Sequence, residues 1–149
     1  STDDTTDVSV SLSNDHDEPY RVTLSLVAGE YESVEVSYVD GTTRRVGATS
    51  PAEVPRSALD GAVGFVPVGP TVESAVYDLR PGTGVGDTVP DAPENVTLVY
   101  VVGRPTATDP ADTLRSYGAV TCGSASDAFE FSLDVGPNGS LGVGSVCAG

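Results

Sequence analysis

The 149-residue chain has no lysine, no methionine and no tryptophan, one histidine and two cysteines. Each shortage narrows what the chain can do. Without lysine there is no Ser–Lys dyad. The seven basic residues are all arginines, and only Arg44 and Arg45 are adjacent. The chain therefore lacks the basic cluster that a nucleic-acid backbone or an anionic headgroup layer requires. Any Ser–His–acid triad or Cys–His pair would have to use His16, and no G-x-S-x-G elbow accompanies it. Without tryptophan the usual stacking platform for sugars is missing. No apolar run approaches the length of a transmembrane helix. The glycines of Gly82-Thr83-Gly84-Val85-Gly86 lack the Lys-Ser/Thr of a phosphate loop and open no helix. They read as part of a loop over Arg80–Glu94, the longest in the chain.

What the chain has in excess is carboxylate. Twenty-two Asp and Glu against seven Arg leave a net charge of −15. With so many carboxylates, adjacency in sequence says nothing about a catalytic acid pair. Hydrophobic residues make up 38% of the chain and are well patterned, which favours one folded domain over a disordered acidic polymer. The reading is a polar leader at 1–7 followed by a single domain over 8–149. Apolar and polar residues alternate with period two, the signature of half-buried strands. Val8, Val10 and Leu12 alternate with serines. Val22, Leu24 and Leu26, and then Val34, Val36 and Tyr38, continue the pattern. Asp40-Gly41 turns into Thr42–Val46. Further strands read at Ala62–Val68, Val72–Leu79, Val96–Val102, Ser116–Cys122, Ala128–Val135 and Ser140–Cys147. Val96–Val102 is apolar on both faces and belongs at the centre of a sheet. Ser50-Pro51 and Asp109-Pro110 each open a single helical turn, with a capping residue before proline.

About ten short strands predict an all-β fold, an antiparallel, immunoglobulin-like β-sandwich with one or two helical turns in its connections. The Cys–Trp–Cys pattern of immunoglobulin domains is absent. Acidity combined with the complete lack of lysine resembles the proteins of halophilic archaea. At about 1 M salt the Debye length is only about 3 Å, so repulsion among carboxylates is nearly erased. Together the composition and the strand pattern resemble haloarchaeal secreted or lipid-anchored cell-surface β-sandwich proteins. This resemblance implies an extracellular, cell-surface location, with a possible lipid anchor upstream of Ser1.

The candidate residues follow. Cys122 and Cys147, an even pair at two strand ends, are expected to form a disulfide. Asn95-Val96-Thr97 and Asn138-Gly139-Ser140 fit the N-glycosylation pattern. The turn around His16 offers Asp15, Asp17 and Glu18 as weak oxygen ligands, although a solvated acidic turn accounts for it as well. Tyr20, Tyr31, Tyr38, Tyr77, Tyr100 and Tyr117 are open to two readings, a sugar-binding surface or sandwich core. No cofactor is expected. The leading functional reading is a non-enzymatic extracellular structural protein whose partners are copies of itself. In that reading the strand with Val8, Val10 and Leu12 completes a neighbour's sheet, although the same alternation fits a strand paired within its own domain. The alternatives are a lipid-anchored, monomeric binding module of the envelope and a structural protein of a haloarchaeal virus.

Overall fold

The computed structural model describes residues 5–69, 71–93, 96–122 and 128–148. They form eleven strands: β1 (Thr5–Asn14), β2 (Tyr20–Val27), β3 (Ser33–Tyr38), β4 (Thr43–Gly47), β5 (Ala62–Val68), β6 (Thr71–Leu79), β7 (Thr83–Pro93), β8 (Thr97–Gly103), β9 (Leu114–Thr121), β10 (Ala128–Val135) and β11 (Leu141–Ala148). Helix is confined to three 3₁₀ turns, Pro51–Glu53, Arg56–Ala58 and Pro110–Asp112. At the last of these Asp109 caps the turn, its carboxylate accepting from the Ala111 N–H at 3.0 Å.

The strands make three sheets. Sheet A runs β11-β10-β1-β7, sheet B runs β6-β2-β8-β9, and sheet C runs β4-β3-β5. All pairings are antiparallel except β1 with β10, which are parallel. Sheets A and B are the two faces of the predicted sandwich. Their shared core takes Val8, Val10 and Leu12 from β1, Phe129, Phe131, Leu133 and Val135 from β10, and Val22, Leu24 and Leu26 from β2. Burying a side chain of this kind contributes roughly 1.5–3 kcal/mol.

Sheet C adds a layer that strand periodicity alone did not reveal. Strand β8 explains how it attaches. Leu98 and Val102 face sheet A, while Val99 and Val101 enter a second core with Val34, Val36, Val46 and Phe65 of sheet C. A strand apolar on both faces is what the middle layer of three demands. Two glycines allow β5 to press onto sheet B. A Cβ on Gly103 would sit on the backbone of Val63, and one on Gly64 would lie 2.7 Å from the Thr23 hydroxyl.

Two expectations are corrected. First, β1 is not a strand free to leave. It lies between β10 and β7, paired along its length on both sides, and Val8 and Leu12 are fully buried in its own chain. Withdrawing it would cut sheet A in two, so the expected exchange of Val8, Val10 and Leu12 into a neighbour does not fit this topology. Second, the segment rich in Gly, Pro and Asp after Arg80 is a strand, β7, rather than a long loop. Among the described residues it pairs with β1 alone, so Pro90 and Pro93 forfeit no ladder bond on its outer side. Its register shifts between Thr6 and Val8, and Asp91 opposite takes a positive φ of 55°.

Candidate functional site

Three places hold the polar chemistry of the molecule: the turn at His16 and the two lateral sides of the A/B sandwich. The turn is organised by Asn14, the last residue of β1, which is fully buried. Its amide donates to the carbonyls of Glu18 at 2.8 Å and Leu79 at 3.0 Å, and its side-chain oxygen accepts from the His16 N–H at 3.0 Å. Its own carbonyl accepts from the Gly82 N–H at 2.7 Å. One buried amide thus ties together the ends of four strands, since an unpaired buried polar group is costly.

His16 is drawn into this network. Its Nδ1 lies 3.2 Å from the Tyr20 hydroxyl and 3.6 Å from Glu18, and its Nε2 lies 3.3 Å from Asp17. Glu18 in turn takes both its oxygens to one guanidinium nitrogen of Arg104, at 3.0 and 3.1 Å. That pairing holds the Arg104 pKa above its ordinary value, and burial does the same for the Tyr20 hydroxyl. Asp15, Asp17 and Glu18, the weak candidates for oxygen ligands, do not converge. Asp17 is almost fully exposed, Glu18 faces Arg104, and the Asp15 N–H is bonded to the Val135 carbonyl. Among the described residues no group of three His, Cys, Asp or Glu side chains is placed to hold a metal. The turn is a clamp between the sheets.

On one lateral side of the sandwich, β9 faces β11. Cys122, just past β9, and Cys147, in β11, form a disulfide with Cα atoms 5.7 Å apart. On the other side β6 faces β7. There the Tyr77 hydroxyl donates to Asp87 at 3.0 Å, over a narrow apolar fissure lined by Val10, Leu24, Leu26, Ala75, Val89 and Leu98. Burial and the Asp87 carboxylate push the Tyr77 pKa up to about 12.

The remaining candidates are distributed by the fold. Asn138 stands exposed at the turn between β10 and β11, its side-chain oxygen accepting from the Ser140 N–H at 3.1 Å. Asn95 lies outside the described residues. The tyrosines form no stacking platform. Tyr20 and Tyr31 are buried, Tyr100 packs on Phe131 with ring centres 5.3 Å apart, and Tyr117 packs edge-on to Phe65 at 5.5 Å. Sequence reasoning passed over Asn14 and Arg104. The one signal for Asn14 was its place directly after the alternating strand, where a polar residue must face inward.

By fold the molecule is an immunoglobulin-like β-sandwich with a third sheet on one face. The chain belongs to the family of halobacterial Ig domain proteins, whose family model matches residues 1–149. No curated protein matches it. Among solved structures it is similar to the type VI secretion lipoprotein TssJ1 of Pseudomonas aeruginosa, at 15% identity and a TM-score of 0.51. That match covers 97% of this chain and 99% of the other. A second similarity, at 10% identity and a TM-score of 0.41, is to the human-specific toxin intermedilysin, covering 96% of this chain and 24% of that one.

Proposed function

We propose that this chain is a non-enzymatic structural module of the halobacterial cell envelope, facing the external brine. The observation that carries the proposal is the Cys122–Cys147 disulfide, which uses both cysteines of the chain to lock one side of the sandwich. Structural disulfides belong to oxidising compartments. The net charge of −15 supports the same placement, because a surface crowded with carboxylates stays hydrated in concentrated salt. The non-enzymatic reading rests on His16. The only imidazole of the chain is engaged by Tyr20, Glu18 and Asp17 in a clamp that the fold needs. Asn138, exposed on its turn, is the acceptor for an envelope glycan in this reading. A second reading, a lipid-anchored binding module, draws on the shared fold with TssJ1, a protein described as a lipoprotein.

The test is thiol and surface labelling on intact cells expressing the protein from its native gene. The expected result is reaction with a membrane-impermeant hydrazide coupled to activated carboxylates, chosen because the chain has no lysine for an amine-reactive label, and no alkylation of Cys122 or Cys147 until a reductant is added. Two thiols that alkylate at once, on a protein shielded from the impermeant reagent, would refute an external location. Retention of the chain in the detergent phase with a lipid-shifted mass would favour the anchored reading.

A further inference from the structure

The edge strands of this acidic molecule are not alike. Exposed edges invite pairing with other chains, and proteins blunt them with charge, proline or bulges. Strand β7 carries Asp87, Pro90, Asp91 and a register shift; β6 carries Glu73 and Asp78; β4 carries Arg44 and Arg45; β9 carries Arg115. Strand β5 is mostly buried against sheet B. Strand β11, Leu-Gly-Val-Gly-Ser-Val-Cys-Ala, has no charge and no proline across eight residues. It ends sheet A, and among the described residues it pairs with β10 alone. Its valines stay outside the core, Val143 at 41% and Val146 at 56% exposure. The disulfide at Cys147 holds its far end in place.

We propose that β11 is a self-association edge, at which a second copy of this chain adds its own β11 antiparallel to the first. The charge pattern selects this occupant. A charged side chain brought into the seam between two copies must shed its hydration, a cost that salt does not screen, and β11 is the exposed edge strand that carries no charge. The strand is also compatible with its own reverse. A two-fold axis through Gly144 keeps both faces in register, setting Leu141 opposite Cys147, Gly142 opposite Val146 and Val143 opposite Ser145. Gly142 opposite Val146 and Gly144 opposite itself let the two backbones approach, and each Val146 covers a bare glycine of the other copy. The result is one continuous sheet of eight strands, with β7 at both ends. This assembly leaves β1 at home and does not depend on where in the cell the chain resides.

Sedimentation velocity in about 2 M NaCl, where screening is strong, tests the proposal. A single strand pair is a small interface, so the wild type should dimerise with a Kd of roughly 10–100 μM. Gly144→Glu sets two carboxylates face to face at the axis and should weaken association by about tenfold or more, whereas Gly144→Val supplies a β-branched pair and should tighten it severalfold. Val76→Glu, at an equally exposed valine on β6, should change nothing. Far-ultraviolet circular dichroism confirms that each variant is folded. Hydrogen exchange adds the location: raising the protein concentration should protect amides of Leu141–Ala148 and leave β4 and β7 unchanged. A wild type that stays monomeric to about 1 mM, or concentration-dependent protection on β4 or β7 instead, overturns the proposal.

Discussion

The two lateral sides of the sandwich close by different means. Where β9 meets β11 the closure is covalent, Cys122 to Cys147. Where β6 meets β7 it is, among the described residues, one side-chain hydrogen bond, Tyr77 to Asp87, above an apolar fissure. The charge follows the same division. Strands β6 and β7 carry Glu73, Asp78, Asp87 and Asp91, while β9 and β11 carry only Arg115. The difference teaches how a fold can tolerate a charge of −15. The staple sits on the side that is nearly uncharged, and Glu73, Asp87 and Asp91, together with Asp78 paired to Arg21 at 2.9 Å, sit on the side held by weak bonds. That second side is the one that depends on salt.

Removing the staple should have the largest effect. The disulfide spans a sequence separation of 25. In the chain-entropy model such a loop contributes about 3.5 kcal/mol. Cys122→Ser with Cys147→Ser should lower the melting temperature by roughly 10 °C, given 2–4 °C per kcal/mol for a domain of this size. Scanning calorimetry in high salt measures it, and an unchanged midpoint would mean that the β9/β11 side is held by packing alone.

Salt comes next. Going from about 2 M to about 0.05 M NaCl lengthens the screening distance severalfold. The midpoint should fall, with β6 and β7 losing protection from hydrogen exchange before β9 and β11. Uniform loss over both sides would break the comparison.

Tyr77→Phe removes the hydroxyl that latches the second side. The bond is partly exposed, so the expected cost is about 1 kcal/mol. Denaturant titration resolves a change of that size, and it should be largest at low salt.

The last effect is in pH and acts through the same hydroxyl. Folding raises the Tyr77 pKa from its ordinary 10.0 to about 12. A raised pKa stabilises the folded state while the group is protonated in both states. The contribution is therefore fully present below pH 10 and lost as pH rises towards 12. The stability difference between wild type and Tyr77→Phe should shrink across that window. Subtracting the variant removes the parallel titrations of Tyr20 and Tyr31, which are also shifted upward by burial.

Much of this architecture can be read from the residues, and the exceptions have physical causes. Strands that bury one face write that burial as alternation, so β1, β3 and β10 are plain in the sequence. Alternation does not say which chain receives the buried face. That is why Val8, Val10 and Leu12 read equally well as home-paired or exchanged. Strand β7 was hidden because an edge strand, bonded on one side, tolerates the glycines and prolines that mark loops elsewhere. The third sheet was legible only indirectly, in the doubly apolar β8. The clamp at His16 was hidden because its partners, Leu79, Arg104 and Tyr20, are set by topology rather than by spacing.

The most direct test of the comparison uses the two edges of sheet B, β6 and β9. Among the described residues each pairs with one neighbour; β9 is tethered beside Cys122, and β6 reaches across the gap through the Tyr77 bond. Native-state hydrogen exchange in about 2 M NaCl reads the free energy of opening of each strand separately. With the disulfide intact, amides of Thr71–Leu79 should exchange through openings of lower free energy than those of Leu114–Thr121, and reduction should bring β9 down to the level of β6. Exchange from β9 ahead of β6 in the oxidised protein, or a β9 indifferent to reduction, would contradict the account.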